Sequence, residues 1–156
     1  MNKILKIFYI YIFILYSNIS YGADMAGYLM QQAIKHYNNQ NYEEALTALN
    51  NIAPTGDPVA VYLLGNIYLY GYGVKIDHKT AYEMILFASK NLYLNNKELA
   101  IEAQMSLIEM YIKGKGVMKN NLEAYKWAYI VNLSNEAIAS TIISELENKL
   151  SSEEIA

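Results

Sequence analysis

The chain of 156 residues contains no cysteine. That excludes disulfides, thiolate metal sites, a cysteine nucleophile and an acylated lipoprotein cysteine. It contains no arginine either: all twelve basic residues are lysines, set against fifteen acids for a formal charge of −3. The guanidinium forks that read phosphates and base edges are therefore missing, and nucleic acid is not an expected partner. The lack of arginine beside abundant Asn, Ile, Lys and Tyr reads as codon bias of an AT-rich genome rather than as function. Only 17% of the residues are charged and 54% are hydrophobic, which excludes simple disorder and predicts one folded domain with a real core.

Catalytic signatures are also wanting. The pair Gly71 and Gly73 follows a helical pattern, lacks a third spaced glycine and has no Gly-Lys-Ser/Thr sequence, so it reads as a turn and not as a phosphate loop. No Gly-x-Ser-x-Gly nucleophile motif is present. His36 and His78 are the only histidines and lack metal-ligand spacing. Glu43 with Glu44, and Glu153 with Glu154, place acids side by side on solvated segments, whereas acid–base catalysis needs carboxylates converging in a pocket. No catalytic residue, metal ligand or cofactor is expected.

One long apolar run exists, and it stands at the amino terminus. Lys3 and Lys6 precede unbroken apolar sequence from Ile7 to Tyr16, followed by Ser17, Asn18 and Ser20. This is the pattern of a signal peptide over residues 1–22, with cleavage after Gly22 or after Ala23. The run falls short of the ~20 apolar residues that cross a bilayer, and Ser17 and Asn18 interrupt an anchor extended to Ile19. The expectation is an exported bacterial protein, periplasmic or secreted, with a folded domain over 23–150 and no stable membrane insertion after cleavage. Ten lysines against fifteen acids would remain, which leaves no basic membrane-binding face.

What the sequence does have is a phrase written twice. "GYGVKIDHKTAYEM" at 71–84 returns as "GKGVMKNNLEAYKW" at 114–127, a constant offset of 43 residues. The same offset pairs Ala60 with Ala103, Tyr68 with Tyr111, Val74 with Val117, Ala81 with Ala124 and Tyr82 with Tyr125. Matches on both flanks of the loop indicate a duplicated structural unit.

Each unit reads as two helices around a glycine turn. Ala60, Leu63, Leu64, Ile67 and Tyr68 share one helical face after Pro58, with Gly65 the one weak point before Gly71. Gly71 and Gly114 suit left-handed caps, and Gly73 and Gly116 allow the turn. Asp77 and Asn120 are placed to cap the next helix. That helix repeats a buried stripe: Ala81, Met84, Ile85 and Ala88 in one copy, Ala124, Trp127, Ala128 and Val131 in the other. A looser first unit contains "AIKHYNNQNYEEALTAL" at 33–49, with its second helix entered at Asn41 or Tyr42 and no glycine pair. It resembles the tetratricopeptide pattern. Ser134 opens a last amphipathic helix bearing Ala137, Ile138, Thr141, Ile142, Leu146 and Leu150, which would cover the end of the stack. The units are about 25–53, 57–91 and 98–133, with a capping helix at 134–150: an all-α fold of three antiparallel helix pairs.

The segment "AVYLLGNIYLYGYGVKIDHKTAYEMILFA" resembles a Sel1-like repeat through Ala60, Leu64, Gly65, Tyr68, Gly71, Gly73, Val74, Asp77 and Ala81. The next unit keeps Ala103, Tyr111, Gly114, Gly116, Val117, Ala124 and Trp127, and departs at Ile108 and Asn120. Its spacing exceeds the commonest family period, and the extra residues fall in 91–99, lengthening a helix or a connection. The resemblance implies a right-handed α/α superhelical solenoid of the kind that serves as an adaptor in protein complexes, in envelope assembly, secretion or host interaction. Cysteine-rich exported relatives associated with cell-wall fragments are a poor guide to a chain without cysteine.

If the family geometry holds, Asn66 and Tyr70 in the second unit and Glu109 and Lys113 in the third face a concave surface, with Tyr62 and Met105 one turn earlier. These six residues are the candidate site for a protein or peptide, with packing between neighbouring helices an equal alternative for Tyr62 and Tyr70. Tyr68, Tyr82, Tyr111 and Tyr125 repeat in register and read as scaffold. A binder or weak hydrolase of cell-wall fragments or another small ligand is the alternative, and self-association through the ends of the stack is a third reading.

Overall fold

Polar caps and glycines decide where several of the helices begin and end. A computed structural model describes residues 25–92, 96–134 and 136–151, and among these every regular element is a helix. The expected leader at 1–22, Ala23, residues 93–95 of the inter-repeat connection and the Glu153, Glu154 tail lie outside the described residues. The chain divides into two compact units, Met1–Ala48 and Leu49–Ala156, the division falling inside a helix.

In the first unit, α1 covers residues 25–38 and α2 begins at Tyr42, its full extent being Tyr42–Ile52. The Asn41 carbonyl accepts the Ala45 N–H at 3.0 Å, so of the two candidate entries Asn41 is the cap and Tyr42 the first helical residue. The preceding turn has no glycine, and Gln40 adopts the left-handed conformation instead, at φ 62°. Ala33 and Ala45 are fully buried, and the Tyr37 and Tyr42 rings meet edge to face at 5.8 Å.

A 3-10 turn, Ala53–Thr55, follows α2 and is ended by Gly56 at φ 81°. Asp57 then caps α3 (Pro58–Tyr70), its carboxylate accepting the Val59 and Ala60 N–H groups at 2.9 and 3.0 Å. Pro58 stands where a helix has no use for an N–H. The remaining helices are α4 (His78–Asn91), α5 (Lys97–Lys113), α6 (Asn121–Ser134) and α7 (Glu136–Glu147). Asn96 caps α5, which has 17 residues against 13 for α3. Much of the long repeat spacing is therefore an extra first turn on α5.

The two glycine turns are copies at the level of individual hydrogen bonds. Gly71 and Gly114 sit at φ 71° and 70°, each donating its N–H to the carbonyl four residues back, of Ile67 and of Met110. Tyr72 and Lys115 donate to the same two carbonyls at 3.0 Å, completing the Schellman pattern. Asp77 N–H then bonds the Tyr68 carbonyl and Asn120 N–H the Tyr111 carbonyl, both at 3.0 Å. Asp77 and Asn120 cap α4 and α6 as their side chains require, Asn120 accepting from the Glu123 N–H at 3.0 Å. Asp77 also accepts the Thr80 amide and hydroxyl, which hold its carboxyl below the ordinary aspartate range.

Consecutive helices pack on one another: α3 on α4, α4 on α5, α5 on α6 and α6 on α7. Ala60, Ala81, Ala103 and Ala124 are all fully buried, so small residues stand where the helices meet. Gly65 is part of this packing and not merely tolerated, because a Cβ there would lie 2.9 Å from Ile85 Cγ1 and 3.3 Å from Met84 Cβ. The corresponding positions one repeat on are Ile108 and Ala128, both buried. Bulk has moved from the second helix to the first.

Successive hairpins are joined by side chains and by backbone. The Tyr82 and Tyr111 hydroxyls are 2.8 Å apart and their rings meet edge to face at 5.8 Å, bonding α4 to α5. Burial and this neighbour push the Tyr111 phenol well up. Gly116 lies against the start of α4, where a Cβ would fall 1.8 Å from the His78 carbonyl oxygen. At the end of the stack the Tyr125 hydroxyl donates to Glu147 on α7 at 3.3 Å. Tyr125 thus reaches the capping helix as Tyr82 reaches the next repeat.

Candidate partner-binding face

The six predicted site residues occupy matching positions on α3 and α5. Tyr62, Asn66 and Tyr70 are spaced by one turn along α3, and the 43-residue offset carries them to Met105, Glu109 and Lys113 on α5. Residues four apart lie on one helical face. The structure distributes them in depth. Tyr62 is 4% exposed and Asn66 8%, so these two form the floor, whereas Tyr70 is 48% exposed. Met105 and Glu109 are half-buried and Lys113 is exposed.

Burial sets the chemistry of the floor. The Tyr62 phenol is pushed up chiefly by burial, with the neighbouring Asn66 and Ser106 side chains opposing the shift. Asn66 Oδ1 is buried without a partner among the described residues. Tyr70 stacks on Tyr72 at 5.4 Å, and its phenol is raised first by burial and then by the nearby Glu109 carboxylate.

A charged cluster ends the face. Glu109 accepts from Lys113 at 2.9 Å and from Lys115 at 3.0 Å. Those hydrogen bonds hold the Glu109 carboxyl below the ordinary glutamate range. A carboxyl depressed on folding contributes stability that is complete above its unfolded pKa, about 4.3, and is lost as pH falls through the folded value. Because the groups are solvated, screening keeps the contribution below about 1 kcal/mol. Glu109→Gln is accordingly expected to lower the urea midpoint slightly near neutral pH and to leave it unchanged once the acid limb has been passed. A deficit that persists in full below about pH 3 would contradict the ion-pair account.

Beside this face runs a groove of about 360 Å³ between α5 and α7, lined by Met105, Ser106, Ile108, Glu109, Ile112, Lys113 and Ile142. Three of the six predicted residues line it. Ile112, Ile142 and the neighbouring Lys115 were missed. Ile112 carried a signal, being one turn beyond Ile108 on an apolar helix. Ile142 had none, since α7 lies outside the 43-residue register. On α1 and the turn after it, Gln31, Gln32, Ile34, Lys35, Asn38 and Asn39 line a second depression of about 540 Å³, which gathers amides and one lysine around a single apolar side chain.

Glu109 is the one carboxylate lining the groove, and it is held charged by two lysines, so no acid–base pair converges there. His36 lies half-buried on α1 and His78 opens α4. Among the described residues no cluster of three or more His, Asp or Glu could hold a metal ion. None of their helices is long and apolar enough to cross a membrane.

Two solved structures share this architecture. A protective antigen present in uropathogenic Escherichia coli strains, displaying an SLR fold, matches 83% of the chain at 22% identity with a TM-score of 0.70. A Sel1 repeat protein from Oxalobacter formigenes matches 74% of the chain at 30% identity with a TM-score of 0.63. The chain has the fold of the Sel1-like repeat proteins. It spans 27% of the length of the first structure and 45% of the second. No family model and no curated protein matches the sequence. Within the Sel1-like repeats, the duplicated turns and the alanine contacts are the scaffold, and Tyr70, Met105, Glu109 and Lys113 are positions the scaffold leaves at the surface.

Proposed function

We propose that this protein is an exported, non-enzymatic adaptor that binds a protein or peptide across the first helices of its repeats. One observation carries the reading: register-matched positions on α3 and α5 set an exposed tyrosine, a methionine and a fixed charge cluster alongside an apolar groove. Tyrosine offers large contact area with a polar tip, and an apolar centre rimmed by charge is the anatomy of a recognition surface. The leader-like residues 1–22 support export to the periplasm or beyond, with roles in envelope assembly, secretion or host contact.

Chemical crosslinking in the envelope and secreted fractions tests this. The wild-type chain should be recovered with a start at Ala23 or Asp24 and joined to a specific protein, and Tyr70→Ala with Met105→Ala should reduce that adduct about tenfold. Adducts unchanged by the substitutions would refute the face, and a chain retaining residues 1–22 in the cytosol would refute export. Protection by cell-wall fragments with no protein adduct would favour the small-ligand alternative.

A further inference from the structure

The chemistry of the partner is written in the α5–α7 groove, given the reading that this face binds a peptide. We propose that the groove takes an extended partner segment that presents an apolar side chain next to an Asp or Glu, with the carboxylate held by Lys113 and Lys115. The apolar side chain would lie against Met105, Ile112 and Ile142. Beyond them stands the charged cluster, at the carboxyl end of α5.

Charge complementarity selects an acid. Two ammonium groups share the single Glu109 carboxylate, at 2.9 and 3.0 Å, so the cluster is positive by one in a chain of net charge −3. Each ammonium has three donors, of which Glu109 uses one. Lys113 and Lys115 already hold a side-chain carboxylate in the geometry a second would need. A chain terminus is a poorer fit, because gripping one calls for free backbone amides. The Gly114 and Lys115 N–H groups both go to the Met110 carbonyl. A basic segment would meet the excess positive charge, and nucleic acid would meet two lysines without an extended basic surface.

The groove contains its own competitor, and this sets the sign of the test. Short random peptides with both termini blocked are screened against the full chain, and the best binder is measured by fluorescence anisotropy. Peptides that pair an acid with Ile, Leu, Met or Phe are expected. The K113Q/K115Q double variant should weaken binding about tenfold, while E109Q, which frees both ammonium groups, should tighten it about threefold. Loss of a surface contact alone would make E109Q weaker. Ile142→Asn should cost about tenfold with the salt dependence unchanged.

Binders that are neutral or basic, or affinities that ignore both lysine loss and E109Q while still responding to Tyr70→Ala, would overturn the acidic-segment inference and leave the peptide-binding face standing. A screen that yields no binder responsive to Tyr70→Ala, Met105→Ala or the groove variants would overturn both.

Discussion

Gly116→Ala is expected to destabilise the chain by about 3 kcal/mol, lowering its melting temperature by about 10 °C, whereas Gly114→Ala costs about 1 kcal/mol. The two glycines share a backbone conformation, at φ 72° and 70°, so the strain of placing a Cβ in the left-handed region is common to both. Their surroundings differ. At Gly114 the nearest atoms to an added Cβ are 3.6 Å away, an ordinary contact. At Gly116 the His78 carbonyl oxygen would lie 1.8 Å away and its carbon 2.4 Å away. That carbonyl belongs to the first turn of α4 and cannot yield without disturbing the helix. Urea and thermal unfolding followed by circular dichroism would read the difference. Equal losses at the two positions would mean that the turn does not bear on the neighbouring hairpin.

Ile85→Ala should be comparably damaging, at about 3 kcal/mol, since it empties a fully buried site between α3 and α4. The same site supplies a sharper test through Gly65. In the wild-type chain Gly65→Ala presses a methyl against Ile85 Cγ1, and the gain in helix propensity, about 1 kcal/mol, is offset by crowding. Once Ile85 is cut back, the new methyl enters vacated space. The double variant is therefore expected to be about 1–2 kcal/mol more stable than the two single changes would predict. The chain already contains the reversed arrangement at Ile108 and Ala128. Additive effects in the cycle would show that Gly65 and Ile85 do not share a contact.

These experiments bear on the features least legible in the sequence. The glycine punctuation was readable because a left-handed cap has a narrow choice of residue, and Asp77 and Asn120 were readable because free amides at a helix start demand an acceptor. Periodicity, by contrast, reports which face is buried and not what it meets. Gly65 therefore looked like a flaw in a helix, and Gly116 looked like a turn residue alone. Burial around α3 reaches Tyr62 and Asn66, two residues that the family geometry set on the binding surface. Gln40 is a further case: its left-handed turn is imposed by the helices it joins, and glutamine carries no sign of it. In the groove, α5 was anticipated through Met105, Glu109 and Lys113, whereas the α7 wall depends on how a non-repeating helix docks.

The stacking of one hairpin on the next can be observed directly by nuclear Overhauser measurements on a tyrosine- and glycine-labelled sample. The account predicts cross-peaks between the Tyr82 and Tyr111 rings and between Gly116 Hα and the His78–Lys79 backbone, alongside helical patterns on both sides of each turn. Helical patterns without those two sets of contacts would contradict it.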